Sequence, residues 1–224
     1  MSKLKFDAVG QRFYETGVEH GVLYLQVDGA YPKGVAWNGL TSVSENPSGA
    51  EANPLYADNI KYLNLQSAED FGATIECYTY PDEFAECDGS AEPTPGVLVT
   101  AQPRKPFGFS YSTRIGNDQS PEAGEKIHLI YGAVAAPSQK ANNTVNDNPE
   151  AITLSYEIST TPVPVTGFKP TAHLIIDSRT TPKDKMQKLK DILYGTDPTT
   201  GPTSQGAEAR MPLPDEVISL VKTI

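Results

Sequence analysis

Short stretches in which apolar and polar residues alternate recur along most of the chain. This is the pattern of β-strands that bury one face. The pattern predicts strands over residues 12–18, 21–27, 34–37, 72–80, 97–101, 106–115, 126–134, 152–159 and 171–177. We interpret the first two as a hairpin that turns at residues 19–21. In the strand over 72–80, one face carries Ala73, Ile75, Cys77 and Thr79.

Helical periodicity is confined to three places. The clearest helix is predicted over 182–194, with Pro182 in the first helical position and Gly195 after the last. Thr181 and Asp184 have the spacing of a capping box. The apolar stripe of this helix consists of Met186, Leu189, Ile192 and Leu193. Shorter helices are predicted over 81–88 and 214–222, so the chain is expected to be mainly β, in the α+β class.

The longest segments without a clear period are 38–59 and 137–150. We predict an irregular loop over 38–59, which contains Leu55 and Tyr56 and is either an interaction arm or a loop folded back on its own domain. A linker over 196–206 leads to the last helix, whose apolar residues could dock on their own domain or on a neighbour. Nothing in the sequence indicates an internal repeat or a second domain.

Composition and charge further restrict the classes of protein to which the chain can belong. The 18 Gly and 19 Pro favour a loop-rich β protein, and 224 residues are enough for one large β domain. The first 100 residues carry 15 acidic and 5 basic side chains, whereas the rest carry 13 of each. This acidity argues against a protein that grips nucleic acid. The absence of a long apolar run argues against a membrane span, and the N-terminal residues do not resemble a secretory leader.

No catalytic, cofactor or metal site is predicted. His20, His128 and His173 lie outside any metal or triad motif, and we interpret the last two as strand residues with satisfied hydrogen bonds. Cys77 and Cys87 are interpreted as reduced thiols, at least one of them in the core. Adjacent carboxylates leave a two-carboxylate hydrolase open, although those at 82–83 and 215–216 follow a proline and suit helix N-termini.

Several longer strings together resemble one family, the major tail proteins, or tail tube proteins, of long-tailed (siphovirus-type) bacteriophages of Gram-positive hosts. The strings occur in the same order and cover nearly the whole chain. They are FYETGVEHGVLY (13–24), KGVAWNGLT (33–41), LYADNIKYL (55–63), TYPDEFAECDG (79–89), IGND (115–118), KIHLIYG (126–132) and TVNDNPEAIT (144–153). Their number and order carry the resemblance, since none is a chemical motif by itself.

The resemblance implies a β-sandwich or barrel flanked by a helix, with a non-enzymatic, structural role. Hexameric rings would stack into a hollow tube through which double-stranded DNA passes without specific binding. The implied partners are further copies of the chain, the tape-measure protein, and the distal tail and tail terminator proteins, with no cofactor and no membrane. The implied location is the virion tail, after synthesis in the cytoplasm of the host bacterium.

The same resemblance assigns roles by position. Residues 1–195 would form the tube domain, with an N-terminal arm over 1–10 and an inter-subunit loop over 38–59, and residues 196–224 a linker and helical extension. The candidate inter-ring contacts are Leu55, Tyr56, Val217 and Leu220. The candidate lumen-facing acids, which would repel the DNA backbone, are Glu15, Glu19, Asp28, Glu76 and Asp82.

Other readings stay open. A β-sandwich binding module for a host surface or a carbohydrate would share the strand pattern, but it would remain small and have a ligand. The inner tube of a phage-derived tailocin would assemble as a phage tube does. Assembly behaviour therefore separates the binding module from the other two.

Overall fold

The chain is organised around one antiparallel β-sheet. In the computed structural model, residues 3–145, 151–198 and 206–222 are described. The strands are β1 (Tyr14–Leu25), β2 (Gly34–Ala36), β3 (Leu40–Glu45), β4 (Ser48–Gly49), β5 (Ala52–Ala57), β6 (Ile60–Gln66), β7 (Glu69–Asp70), β8 (Gly72–Cys77), β9 (Ala91–Thr94), β10 (Val97–Val99), β11 (Phe107–Gly116), β12 (Gly124–Ala135), β13 (Leu154–Thr160) and β14 (His173–Asp177). A 3₁₀ helix spans Asp82–Glu86, and the α-helices are α1 (Lys183–Tyr194) and α2 (Pro214–Val221). The predicted mainly β class with a flanking helix is confirmed.

Within the described ranges, the main sheet contains eight strands in the order β2-β1-β11-β12-β13-β8-β3, with β14 paired to β12. Strands from both ends of the sheet contribute to one apolar cluster. The sheet is curled, since Trp37, which follows β2, and Tyr156 of β13 have ring centroids only 6.4 Å apart. This first cluster includes Leu23 of β1, Ile75 of β8, Phe109 of β11 and Tyr156 of β13. It also takes in Phe84 from the 3₁₀ helix, which is fully buried.

A second apolar cluster lies on the opposite face of the sheet, where the helices cover it. Met186, Leu189 and Leu193 form the buried stripe of α1. Val217 of α2 joins the same cluster. Strands β11 and β12 are therefore largely buried on both faces, and the apolar run of β12 from Leu129 to Ala135 follows from that.

Gly132 allows β12 to change partners along its length. Before this residue β12 pairs with β14, and after it with β13. The backbone of Gly132 has φ +58, and a Cβ there would approach the carbonyl oxygen of Thr161 to 2.3 Å. Only glycine fits this bulge without strain.

The N-terminal hairpin prediction was wrong. Residues 14–25 form the single strand β1, paired with β11 along its length and bent by two register shifts between Thr16 and Val22. His20 has φ +54 at the centre of this bend. The turn-like residues 17–21 therefore produce a bulge rather than a chain reversal.

The predicted capping box is also absent. Pro182 occupies the N-cap position of α1, and no side chain caps the helix.

The prediction of reduced thiols in the core is confirmed. Cys77 and Cys87 are free and buried, and burial raises the pKa of the Cys87 thiol to about 12.

The prediction of an irregular loop over 38–59 was also wrong. This segment contains β3, β4 and β5, and the strands β4 to β7 build a long hairpin, defined here as residues 48–70. The predicted polar loop over 137–150 and the linker over 196–206 fall partly on residues 146–150 and 199–205, and the arm over 1–10 begins at 1–2. Those residues lie outside the described part of the chain, as do the last two, 223–224.

Candidate assembly surfaces

The long hairpin is exposed along its entire length. Every residue from 48 to 70 is exposed, so none of them is buried against the rest of the chain. Its tip is a two-residue turn at Asp58 and Asn59, which have φ values of +49 and +64. Two positive φ values at the centre are what a type I′ hairpin turn requires, and Asp and Asn tolerate them.

Apolar side chains are concentrated near this tip. Leu55 lies opposite Leu63 across the two strands, and Leu65 is two residues further along the same face. The exposed large apolar side chains of the long hairpin are Leu55, Tyr56, Ile60, Tyr62, Leu63 and Leu65. Tyr56, for example, is 70% exposed. Large apolar side chains exposed on both faces of a protruding element are typical of an interaction site.

Two smaller exposed apolar surfaces accompany the long hairpin. The N-terminal segment carries Leu4, Phe6 and Val9, all at least 70% exposed. It is anchored at Gly10, whose backbone N–H donates to the Asp118 carboxylate over 2.9 Å. The hairpin of β9 and β10 exposes the apolar residues 97–99.

The described part of the C-terminal segment packs on its own domain. Val217 is only 3% exposed, and Leu220 is half-buried against the same cluster. The hydroxyl of Tyr131 donates to the carbonyl oxygen of Pro212 over 2.9 Å and fixes the approach to α2. Of the two alternatives for this tail, the structure shows docking on the chain itself, so Val217 is not exposed for an inter-ring contact.

The five candidate lumen acids do not share one surface. Glu15 pairs with Lys126 and receives a hydrogen bond from Thr113, on the sheet face opposite the helices. Glu19 pairs with Arg114, whose side chain lies on the other face of β11. Both partners lower the pKa of the glutamate they contact, against the opposing effect of partial burial. The positive partners offset both charges.

Glu76 lies in a different setting, on the outer face of β3, β8 and β13. It accepts a hydrogen bond from Ser42 over 2.8 Å and lies opposite Ser155. Outward positions on these strands carry small hydroxyl side chains and two glutamates, and they are Ser42, Ser44, Thr74, Glu76, Ser155, Glu157 and Ser159. The three strands contain no Lys or Arg, so this polar face is acidic.

The remaining two candidate acids are isolated. Asp28 lies in the turn after β1 with φ +50, and Asp82 begins the 3₁₀ helix. Both are exposed. Neither adds to a continuous acidic surface with Glu76.

Three titratable side chains that are far apart in the sequence lie close together in the structure. Glu45, at the end of β3, lies beside His128 of β12 and His173 of β14. His128 stacks on Tyr111 with ring centroids 4.5 Å apart, and His173 packs on Phe71 at 4.4 Å. Burial lowers the pKa of both imidazoles, that of His173 to about 4. Both rings are therefore neutral near pH 7, and their spacing along the sequence gave no signal of the cluster.

No helix in the described ranges has the length and apolar character needed to cross a membrane. Neither the protein-family models nor the curated proteins give a match to this chain. Among solved structures, the baseplate of the anti-feeding prophage (AFP) is similar at 9% identity and a TM-score of 0.37, over 77% of this chain and 97% of that chain. The SPP1 tail tube is similar at 10% identity and a TM-score of 0.37, over 68% and 74%. At this level of likeness, function has to be inferred from the residues and surfaces of the chain itself.

Proposed function

We propose that this chain is a structural, non-enzymatic subunit of a bacteriophage tail tube. Hexameric rings of the subunit would stack into a hollow tube through which double-stranded DNA passes into the host. The ordered strings of sequence that resemble siphovirus major tail proteins suggest this class. The observation that carries the proposal is the long hairpin, which extends an apolar surface into solvent.

A hairpin of this kind needs a partner. An isolated two-stranded hairpin is marginally stable in water, and three or more strands or a packing surface are needed to hold it. Burying Leu55, Tyr56 and Leu63 against another subunit would remove this apolar surface from water at about 25 cal/mol per Å². A head-to-tail contact that does not close on itself generates an open stack of subunits. The long hairpin is therefore proposed as the main contact between rings.

Other contacts would complete the assembly. The N-terminal segment, with Leu4 and Phe6 exposed, is proposed to reach a neighbouring subunit. Strands β2 and β3 end the strand order of the main sheet, and such edges can pair with a strand from another subunit within a ring. Because Val217 is already buried, α2 is left out of the proposed contacts.

The acidic polar face around Glu76 is proposed to line the bore. Duplex DNA carries one negative charge per ~1.7 Å of its axis, and basic side chains would hold it through many contacts. A wall of hydroxyl groups and glutamates that lacks Lys and Arg would repel the backbone and leave DNA free to move. Glu15 and Glu19 are weaker candidates, because Lys126 and Arg114 offset their charges.

The proposed partners follow from this role. They are other copies of the chain, a tape-measure protein inside the tube, and the distal tail and tail terminator proteins at its ends. The proposed location is the tail of the virion, after synthesis in the host cytoplasm.

Assembly can be tested on the purified protein by negative-stain electron microscopy and size-exclusion chromatography over a range of concentrations. The wild type is expected to form six-fold rings or hollow rods. The double variant Tyr56→Ser with Leu63→Ser is expected to keep its fold, but to form no rods. Phe168→Ser is the matched control, because Phe168 is 74% exposed and lies outside the long hairpin.

A clean monomer at every concentration, also after addition of tail initiator components, would contradict the proposal and favour a binding module. Rods formed equally well by the hairpin variant would keep the tube but remove the long hairpin from its contacts. Rods lost in both the hairpin variant and the Phe168→Ser control would show that the effect is not specific to the hairpin.

A further inference from the structure

The Glu45, His128 and His173 cluster has the composition of a metal centre. Two imidazoles and one carboxylate are a common ligand set for divalent transition metals, and zinc takes three protein ligands plus water in open sites. We propose that Glu45, His128 and His173 bind a divalent transition metal ion of the zinc type, with a water molecule in the fourth position.

The distances among the three facing atoms fit such an ion. His128 Nδ1 and His173 Nε2 are 3.2 Å apart. Glu45 Oε1 lies 3.2 Å from His128 Nδ1 and 3.8 Å from His173 Nε2. A point equidistant from three atoms at these separations is about 2.0 Å from each, which matches zinc–nitrogen and zinc–oxygen bonds. The two imidazole nitrogens are within hydrogen-bond distance of each other, so an ion would replace that hydrogen bond with two metal–nitrogen bonds.

A second layer of contacts orients the ligands. The hydroxyl of Tyr111 donates to Glu45 Oε1 over 2.7 Å. On the far side of the His128 ring, Nε2 lies 3.4 Å from Thr113 Oγ1 and 3.8 Å from Glu15 Oε1. With the proton of His128 on Nε2, Nδ1 is free for the metal. A ligating histidine whose other nitrogen faces a hydroxyl or carboxylate is the usual arrangement in zinc proteins.

The environment also keeps the ligands in the form that binds metal. A metal binds neutral imidazole, and burial disfavours the protonated rings of His128 and His173. Glu45 is about one-third exposed, which gives an ion a path from solvent. Stacking on Tyr111 and Phe71 limits rotation of the two imidazoles.

The position of the site suggests what the ion would do. Glu45 is the last residue of the edge strand β3, only three residues before the long hairpin, whereas β12 and β14 lie further inside the same sheet. A bound ion would cross-link the edge strand from which the hairpin starts to β12 and β14. The expected consequence is a more fixed direction for the hairpin, whatever the chain assembles into.

The test uses the full chain, stripped of metal with a chelator and titrated with zinc chloride in an isothermal calorimeter. We expect one ion per chain. Loss of a second-layer partner typically weakens metal binding ~10–100-fold, so loss of a ligand in Glu45→Gln or His173→Asn should weaken it at least as much. His20→Asn is the matched control, since His20 lies outside the cluster and asparagine tolerates its φ of +54. It should bind as the wild type does.

Cobalt substitution adds a spectroscopic reading, since the visible bands of bound cobalt report nitrogen and oxygen ligation in a site of low coordination. These bands should appear in the wild type and the His20→Asn variant, but not in the other two. Circular dichroism of the metal-free variants checks their fold. If His173→Asn does not fold, the Glu45→Gln variant, at a partly exposed position, decides alone. Absence of zinc binding by the wild type, or equal binding by the wild type and Glu45→Gln, would overturn the proposal.

Discussion

The main sheet and the long hairpin are built from similar β-rich sequence, but they differ in what stabilises them. In β11 and β12, most side chains are buried, because apolar clusters lie on both faces of these strands. In the long hairpin every side chain is exposed, although Leu55 and Leu63 face each other across the strands. The sheet can fold within one chain, whereas the apolar surface of the hairpin remains uncovered there. The difference indicates that the hairpin is built for contact with another molecule.

The largest effect is expected from truncating the core. Phe109 is fully buried between Trp37 and Tyr111, with ring centroids 5.4 and 5.9 Å away. Phe109→Ala should lower the free energy of unfolding by about 3–5 kcal/mol, because it removes apolar contacts and leaves a cavity. Urea denaturation followed by Trp37 fluorescence measures this. Tyr56→Ala in the long hairpin should change it by less than about 0.5 kcal/mol, and equal losses would refute the contrast.

A substitution at the bulge of β12 should have the next largest effect on stability. Gly132→Ala places a Cβ at 2.3 Å from the carbonyl oxygen of Thr161, in a backbone conformation with φ +58. We expect a loss of about 2 kcal/mol or more from strain and displacement of β13. Thermal unfolding of the Gly132→Ala and Gly96→Ala variants measures this loss of stability. Gly96 also has positive φ, but a Cβ there has no neighbour within 4 Å. Gly96→Ala should therefore lose less stability, and the difference between the two variants gives the cost of the steric clash.

A single hydroxyl group should have a smaller effect. Tyr131→Phe removes the hydrogen bond to Pro212 and leaves that carbonyl oxygen without this donor. The expected loss in the free energy of unfolding is about 1 kcal/mol. Tyr62→Phe, on the exposed hairpin, should leave it unchanged in the same denaturation experiment. A null result for Tyr131→Phe would mean that this bond does not hold the C-terminal segment.

The smallest global effect is expected at the hairpin tip. Asn59→Val forces a β-branched residue into φ +64, and should destabilise the hairpin locally by about 1–2 kcal/mol. Global unfolding should shift by less than about 0.5 kcal/mol, since the hairpin opens independently of the core. Asn59→Gly, which suits the turn, is the control. A large global shift with Asn59→Val would show that the hairpin contributes to the fold of the monomer.

The sequence predicted the central strands and both α-helices because their apolar positions repeat with a clear period. It missed the long hairpin, where no core face imposes alternation and where Pro54 and Gly49 suggested a loop. It also read the bend of β1 as a turn, because Gly17 and Gly21 resemble turn residues and only pairing with β11 shows a bulge.

The surfaces were harder to predict than the elements. Leu55 and Tyr56 were singled out as apolar residues in a polar setting, and the structure exposes both. Glu45, His128 and His173 come together only through the order of β3, β12 and β14 in space, which no local pattern records. Ion pairing of Glu15 and Glu19 likewise depends on cross-strand neighbours.

Amide hydrogen exchange of the long hairpin, compared between dilute monomer and concentrated assembly, tests the central claim most directly. Segment 48–70 should exchange rapidly in the monomer and become protected on assembly, whereas β11 and β12 should be protected in both states. Failure to assemble, or assembly in which segment 48–70 still exchanges as fast as in the monomer, would contradict the claim that this hairpin joins subunits.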